Sequence, residues 1–130
     1  MTKYIVCSDR AGLGNRLKGL ISTMRLSKIL GREILLYWER NKYCNCAFND
    51  LFENKIHEID AEELERIKKQ NSKVYRDVLD EDYDKYDYII LDAWKFQFLP
   101  GEISSGFGEV YSAENGGNID FEFMKIPIEI

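Results

Sequence analysis

The sequence predicts an α/β fold with a parallel-rich sheet, and three features of its first part indicate this. Two continuous apolar runs of strand length, residues 3–8 and 33–38, flank residues 15–30, whose apolar side chains recur at helical spacing. A turn with two glycines precedes this helix, and Gly31 follows its last apolar pair, where a left-handed glycine commonly ends a helix. Strand, helix and strand in this order predict a βαβ unit with parallel strands and a right-handed crossover.

The composition is that of one globular domain. The chain has 130 residues, of which 45% are hydrophobic and 32% charged, so we expect a single domain over residues 1–130. A net charge of −5 argues against a nucleic-acid partner, which normally requires a basic surface. No apolar run approaches the roughly 18 residues of a transmembrane helix. Three cysteines cannot all pair within the chain, and no N-glycosylation sequon occurs, so we expect a reducing, cytoplasmic location.

The rest of the chain continues the α/β pattern. Short strands are predicted at residues 55–59, 73–79 and 88–92, and a helix is predicted from 61 to about 70 behind an Asp-x-x-Glu capping pattern. A small apolar cluster is predicted in the polar segment that follows the second strand. Its members are Phe48, Leu51 and Phe52. Residues 104–118 are glycine-rich and indicate a loop or local hairpin, and the alternating residues 119–123 indicate a half-exposed strand. These elements predict one Rossmann-like domain.

The loop that opens the first helix is the strongest candidate site. It consists of Gly12, Leu13, Gly14, Asn15 and Arg16. It follows the first strand at its carboxyl end, where parallel sheets bind ligands. Glycines permit close approach of the backbone, the helix start offers free N–H groups, and an arginine fork suits phosphate. The sequence therefore predicts a phosphate site here, although the same glycines are also compatible with a turn that needs them only for its backbone shape.

A dinucleotide site fits this loop only in part. The third glycine of the fingerprint would fall at Leu17, although Glu39 follows the second strand where a ribose-binding acid is expected. An NAD-dependent enzyme is therefore a third interpretation. No Gly-Lys-Ser/Thr sequence follows, so the loop is not a Walker A loop.

Several of these segments resemble fucosyltransferase-type glycosyltransferases of the GT-B fold, which include nodulation α-1,6-fucosyltransferases and protein O-fucosyltransferases. Residues 12–17, the Gly31-Arg32 helix end and the strand at 34–38 resemble the start of these enzymes. Residues 44–52 are similar to the segment that follows the second strand in related members. Residues 119–123, with the Ile-Pro pair that follows, resemble the approach to the linker in those proteins.

This resemblance implies the N-terminal, acceptor-side domain of a longer two-domain, inverting and metal-independent enzyme. In that fold a C-terminal domain holds most of the nucleotide-sugar donor, here a GDP-fucose-like molecule, while a glycan acceptor faces the N-terminal domain. The resemblance gives Gly14, Asn15 and Arg16 contacts with the donor β-phosphate, and makes Asn15 and Arg16 the catalytic residues. It implies no cofactor. We expect the isolated chain not to catalyse transfer without the missing C-terminal domain or a partner subunit.

The competing interpretation is a stand-alone, non-catalytic module that binds a phosphorylated ligand or nucleotide. Both interpretations place a phosphoryl group at the start of the first helix, and they differ in whether sugar transfer follows.

Two acid–tryptophan pairs are candidates for acceptor binding. Trp38 and Glu39 follow the second strand, and Asp92 and Trp94 follow a later one. A carboxylate can accept hydrogen bonds from sugar hydroxyls, and an indole can stack on a sugar ring. The alternative is that both tryptophans pack in the core or under a loop and both acids are solvated.

No metal site is predicted. Cys7, Cys44, Cys46 and His57 lack the C-x₂₋₄-C spacing of structural zinc sites. The acidic residues at 80, 82 and 84 resemble the start of an EF-hand, but Lys85 stands where the loop requires glycine.

Overall fold

The computed structural model describes residues 2–92, 97–104 and 110–111. Their elements, in chain order, are β1 (Tyr4–Cys7), α1 (Leu13–Leu30), β2 (Glu33–Tyr37), β3 (His57–Ile59), α2 (Ala61–Lys68), β4 (Ser72–Tyr75), β5 (Tyr88–Leu91), β6 (Ile103–Ser104) and β7 (Val110–Tyr111). Single 3₁₀ turns lie at Phe48–Asp50 and Tyr83–Lys85. The predicted α/β, Rossmann-like fold is confirmed, with a parallel sheet and two flanking helices.

The main sheet has five parallel strands in the order β3-β2-β1-β5-β4. β1 is central, and its last residue, Cys7, is in register with Leu36 of β2 and Leu91 of β5. The crossover through α1 leads from β1 toward one edge of the sheet, and the crossover through α2 leads back to the other edge. The two crossovers run in opposite directions on opposite faces, so they share one hand, as right-handed βαβ units require.

The two helices cover opposite faces of this sheet. On one face Ile5 and Ile89 pack with Leu26 of α1. On the other face Val6 and Ile90 pack with two residues of α2, Leu64 and Ile67. Because neighbouring residues of a strand point to opposite faces, both faces of β1 and β5 are apolar and their sequences form continuous hydrophobic runs.

The first helix begins earlier than the sequence predicts. It starts at Leu13 with Gly12 as its N-cap, so Gly14 lies in the first helical turn and not in the preceding loop. Its end is as predicted, because Gly31 adopts the left-handed conformation at φ 66° and ψ 34°. The N–H of Arg32 then donates to the Ser27 carbonyl and closes the helix end.

Other predicted elements are confirmed with shorter bounds. The Asp60 carboxylate caps α2 by accepting from the Glu63 N–H at 2.8 Å, as the capping pattern predicts. The strand predicted at 73–79 ends at Tyr75, and Leu79 reaches the core outside any strand. Part of the predicted hairpin is present as the antiparallel pair β6–β7. The strand predicted at 119–123 lies outside the described residues.

A buried arginine closes the amino edge of the sheet. Arg32 is 3% exposed, and its guanidinium donates to the carbonyl oxygens of Tyr4, Tyr83 and Tyr86. Burial lowers the pKa of this group below its usual value, and the neighbouring Asp84 partly opposes the shift. This edge lies opposite the candidate site, which makes Arg32 a useful reference for experiments.

Within residues 2–92, 97–104 and 110–111, no helix has both the length and the apolar character that crossing a bilayer requires.

Candidate functional site

The candidate site lies at the carboxyl edge of the sheet. The segments that follow β1, β2 and β5 meet there, and the order of the strands reverses beside β1. In open α/β sheets, ligands bind outside the strand ends at such a reversal. The predicted residues at positions 12–16, 38–39 and 92 all lie at this edge.

The start of α1 is open to a ligand. Gly12, the N-cap, has extended backbone angles and provides no side-chain cap, and the first turn contains no acidic residue. The N–H groups of the first turn therefore have no partner within the helix, and the helix dipole gives this end a partial positive charge. Leu13 and Gly14 are exposed, and Asn15 is half-buried.

Neither glycine of this loop is needed for the shape of the backbone. Gly12 has φ −68° and Gly14 is helical, and the positive-φ glycines of the described chain are Gly31 and Gly101. A Cβ atom at Gly14 would meet nothing within 4 Å, and one at Gly12 would meet only the Tyr43 carbonyl oxygen, at 3.7 Å. The described backbone therefore does not require glycine at either position, and a role of the two glycines in ligand approach stays a prediction.

The Arg16 side chain points inward from α1 and lies beneath the segment that precedes the helix. The side chain is 1% exposed, and its guanidinium donates to the carbonyl oxygens of Ala11 at 2.6 Å, Glu39 at 2.5 Å and Arg10 at 3.3 Å. It also lies over the Trp38 ring, 5.0 Å from the centroid. Arg16 thus joins the segment after β1 to the segment after β2. Its predicted contact with phosphate stays a prediction, and the geometry gives it a role in holding the loop.

Trp38 packs under the loop, as the core alternative for this residue holds. It is half-buried, and its ring makes edge contacts with Phe48 and Phe52 at 5.4 and 6.5 Å between centroids. Its indole N–H donates to the Cys46 carbonyl at 2.8 Å. One face of the indole therefore supports Arg16, and the ring also packs against the apolar cluster predicted after the second strand. That cluster is confirmed as part of the core.

Glu39 is a fixed, ionised acid beside this loop. Its carboxylate accepts from the Tyr37 hydroxyl at 3.2 Å and from the Asn41 amide at 3.0 Å. The hydrogen bond from Asn41 is the main reason that the pKa of Glu39 lies below its usual value. The same Asn41 amide donates to the Arg10 carbonyl at 2.9 Å, so Asn41 is a second link between the two segments.

Asp92 lies on the other side of β1. It follows β5, is half-buried, and has its Oδ2 3.4 Å from a guanidinium nitrogen of Arg76. Trp94, the predicted partner of Asp92, lies outside the described residues. Within the described part of the chain, no three side chains of the types His, Cys, Asp or Glu are grouped so that they could hold a metal ion.

Asp9 is a residue of this site that the sequence analysis missed. It follows β1 directly, is 7% exposed, and accepts from the Ala11 N–H at 3.0 Å through Oδ1. Its Oδ2 atom is buried and has no hydrogen-bond partner among the described residues. Burial raises the pKa of Asp9 above its usual value, and nearby Asp92 raises it further. The signal available in the sequence was an acid at the end of a buried strand, one residue beyond where the strand run stops.

The site thus combines two chemistries. The uncapped helix start offers N–H donors to an anion. Asp9 adds a buried carboxylate whose Oδ2 has no partner among the described residues, and a buried acceptor without a partner is costly. The structure brings Gly12, Leu13, Gly14, Asn15 and Arg16 together with Trp38 and Glu39 through the Arg16 guanidinium.

Comparison of the chain with family models, with characterised proteins and with solved structures finds no match. The resemblance to fucosyltransferase-type enzymes therefore stays a prediction.

Proposed function

We propose that the start of α1 binds the phosphoryl group of a nucleotide sugar, and that this domain forms the acceptor side of a fucosyltransferase-like glycosyltransferase. The observation that carries the proposal is the pair of glycines whose backbone does not require glycine, at a helix start without a cap. At this position, on the carboxyl edge of a parallel sheet, the first-turn N–H groups have no partner within the helix and a ligand has room to approach them.

Transfer from a nucleotide sugar leaves negative charge on the departing diphosphate. Fixed N–H donors at Gly14 and Asn15 would stabilise that charge without reorganising, which is the most effective form of electrostatic catalysis. Asn15 lies in the first turn of α1, and its side-chain amide would add a further donor to the same phosphate. Arg16 serves as a positioning residue, because its bonds to the Ala11 and Glu39 carbonyls hold the loop in shape.

The acidic groups of the same edge suit hydroxyl groups. Glu39 is ionised and held by Asn41, and Oδ2 of buried Asp9 has no hydrogen-bond partner among the described residues. We assign hydroxyl recognition to Asp9, Glu39 and Asp92, with Trp38 as a structural support. The stand-alone phosphate module would use the same helix start, so an experiment has to distinguish a phosphate from a nucleotide sugar.

A pair of substitutions at Gly12 tests the proposal. Gly12→Asp places a carboxylate at an N-cap position, where it accepts from the N–H groups that a phosphate would use. Gly12→Ala adds the same Cβ atom without an acceptor, and a Cβ atom at this position meets only the Tyr43 carbonyl oxygen, at 3.7 Å. Calorimetric titration with inorganic phosphate, GDP-fucose and UDP-glucose then measures the affinity of each variant.

We expect phosphate and the nucleotide sugars to bind the wild-type chain through the same helix start, because the resemblance assigns most other donor contacts to a C-terminal domain. Gly12→Asp should weaken this binding at least about tenfold, or about 1.4 kcal/mol, because charge repulsion adds to the lost donors. Gly12→Ala adds only a methyl group and should weaken binding less than Gly12→Asp does. Binding of phosphate but of neither nucleotide sugar would replace the transferase proposal with the phosphate module. Equal binding by both Gly12 variants would remove the helix start from the site.

A further inference from the structure

Two thiols lie close together in the segment that follows β2. Cys44 and Cys46 have their Sγ atoms 3.6 Å apart, which is near van der Waals contact. Cys44 is 6% exposed and Cys46 is half-buried, so one thiol of the pair is accessible to a small reagent. The third cysteine, Cys7, is buried within β1 and provides an internal reference.

Both cysteines are held in place by the backbone around them. The N–H of Cys44 donates to the Asn41 carbonyl at 3.2 Å and the Cys44 carbonyl accepts from the Asn41 N–H at 3.1 Å. The Asn41 side chain also accepts from the Tyr43 and Cys44 N–H groups. On the other side, the Cys46 carbonyl accepts from the Trp38 indole. Their proximity is thus fixed by contacts on both sides.

A disulfide needs the two sulfurs to approach to about 2.0 Å. From 3.6 Å this is a movement of less than about 2 Å, which rotation about the two Cα–Cβ bonds and a small backbone shift can supply. The residue between the two cysteines, Asn45, is exposed and does not stand in the way of this movement.

We propose that Cys44 and Cys46 form a reversible dithiol–disulfide pair that a low-molecular-weight disulfide such as glutathione disulfide oxidises. The Cys46 thiolate attacks one sulfur of the reagent, forming a mixed disulfide and releasing one thiolate of the reagent. The Cys44 thiolate then attacks Sγ of Cys46 and releases the second thiolate. Two protein thiols lose two protons and two electrons, and one reagent disulfide becomes two thiols.

The resulting ring is small, and strained disulfides are readily reduced. The pair is therefore suited to reversible oxidation in a compartment that contains thiols. The Cys46 carbonyl accepts from Trp38, and Trp38 lies against Arg16, which holds the segment before α1. Formation of the disulfide would therefore shift residues that contact the candidate site. The proposal does not depend on the proposed function, since it concerns only these two thiols.

The experiment exposes the native chain to glutathione disulfide, quenches with acid, alkylates the denatured protein and counts the labelled thiols by intact mass. We expect the label count to fall from three to one, with the loss of two hydrogen atoms and full recovery after dithiothreitol. Peptide mapping should place the disulfide between residues 44 and 46. A count of three, a stable glutathione adduct on the wild-type chain, or a disulfide between two chains would overturn the proposal.

Three serine variants separate the roles. In Cys44→Ser the resolving thiol is absent, so the glutathione adduct on Cys46 should accumulate. Cys46→Ser lacks the accessible thiol and should react much more slowly. Cys7→Ser should form the disulfide as the wild type does, because Cys7 is buried in the sheet. Rapid loss of label in Cys46→Ser, or loss of disulfide formation in Cys7→Ser, would contradict the assignment.

Discussion

Replacing Arg16 by methionine would show how much the segment before α1, which contains Arg10 and Ala11, depends on one buried side chain. Methionine keeps a long flexible chain against Trp38 but removes the hydrogen bonds to the carbonyls of Arg10, Ala11 and Glu39. A hydrogen bond from a charged donor contributes about 1.5–3 kcal/mol. Burial of the guanidinium costs several kcal/mol, which the variant recovers. Three such bonds are lost and the burial cost is recovered, so we expect a net loss of about 3 kcal/mol in the free energy of unfolding.

Urea denaturation measures this loss. With an m-value of about 2 kcal/mol/M, a loss of about 3 kcal/mol lowers the midpoint by about 1.5 M. Arg32→Met is the matched control, because Arg32 is buried to a similar degree and also donates to backbone carbonyls, but at the amino edge of the sheet. Both variants should lose stability, and only Arg16→Met should weaken phosphate binding by the folded protein.

Two results would refute this reasoning. If Arg16→Met unfolds within about 0.5 kcal/mol of the wild type, the carbonyl contacts do not hold the loop. If Arg32→Met weakens phosphate binding as much as Arg16→Met does, the effect arises from general loss of stability and not from the site.

Further predictions concern single residues. Because burial raises the pKa of Asp9, its ionisation opposes folding, and Asp9→Asn should raise the free energy of unfolding at pH 7. This gain should vanish below the ordinary pKa of 3.8. Urea denaturation at pH 7 and at pH 3 measures both effects. Gly14→Ala should stabilise the chain by up to about 1 kcal/mol, measured by thermal unfolding, since the position is helical and open. Gly31→Ala should destabilise it by about 1 kcal/mol in the same assay, because φ is 66°. Asp60→Ala should cost about 1 kcal/mol through loss of the α2 cap, and an unchanged melting temperature would contradict this.

The βαβ unit could be predicted from the sequence because its signals are local. The buried residues of β1 and β2 lie on both faces of the sheet and therefore form short continuous apolar runs, and Gly31 marks the helix end. The strand order could not be predicted in this way. It depends on α2 carrying the chain across the sheet, and the packing of Leu64 and Ile67 against Val6 is a contact between distant residues.

The candidate loop was found because glycines and an arginine follow a strand, but the direction of its side chains could not be read from the sequence. The Arg16 guanidinium turns inward because the carbonyl of Glu39, 23 residues away, lies beside it in the folded chain. Asp9 was missed for a similar reason. Whether an acid after a strand is solvated or buried without a partner depends on the neighbouring segments.

Amide chemical shifts would show whether the start of α1 receives a phosphoryl group. In ¹⁵N–¹H spectra of the wild-type chain titrated with inorganic phosphate, the amides of Leu13, Gly14 and Asn15 should shift in a saturable manner. The same amides in Gly12→Asp should shift only at phosphate concentrations at least about tenfold higher, while amides near Arg32 stay unchanged in both proteins. If the first-turn amides of the wild type do not move even at high phosphate, the start of α1 binds no phosphoryl group.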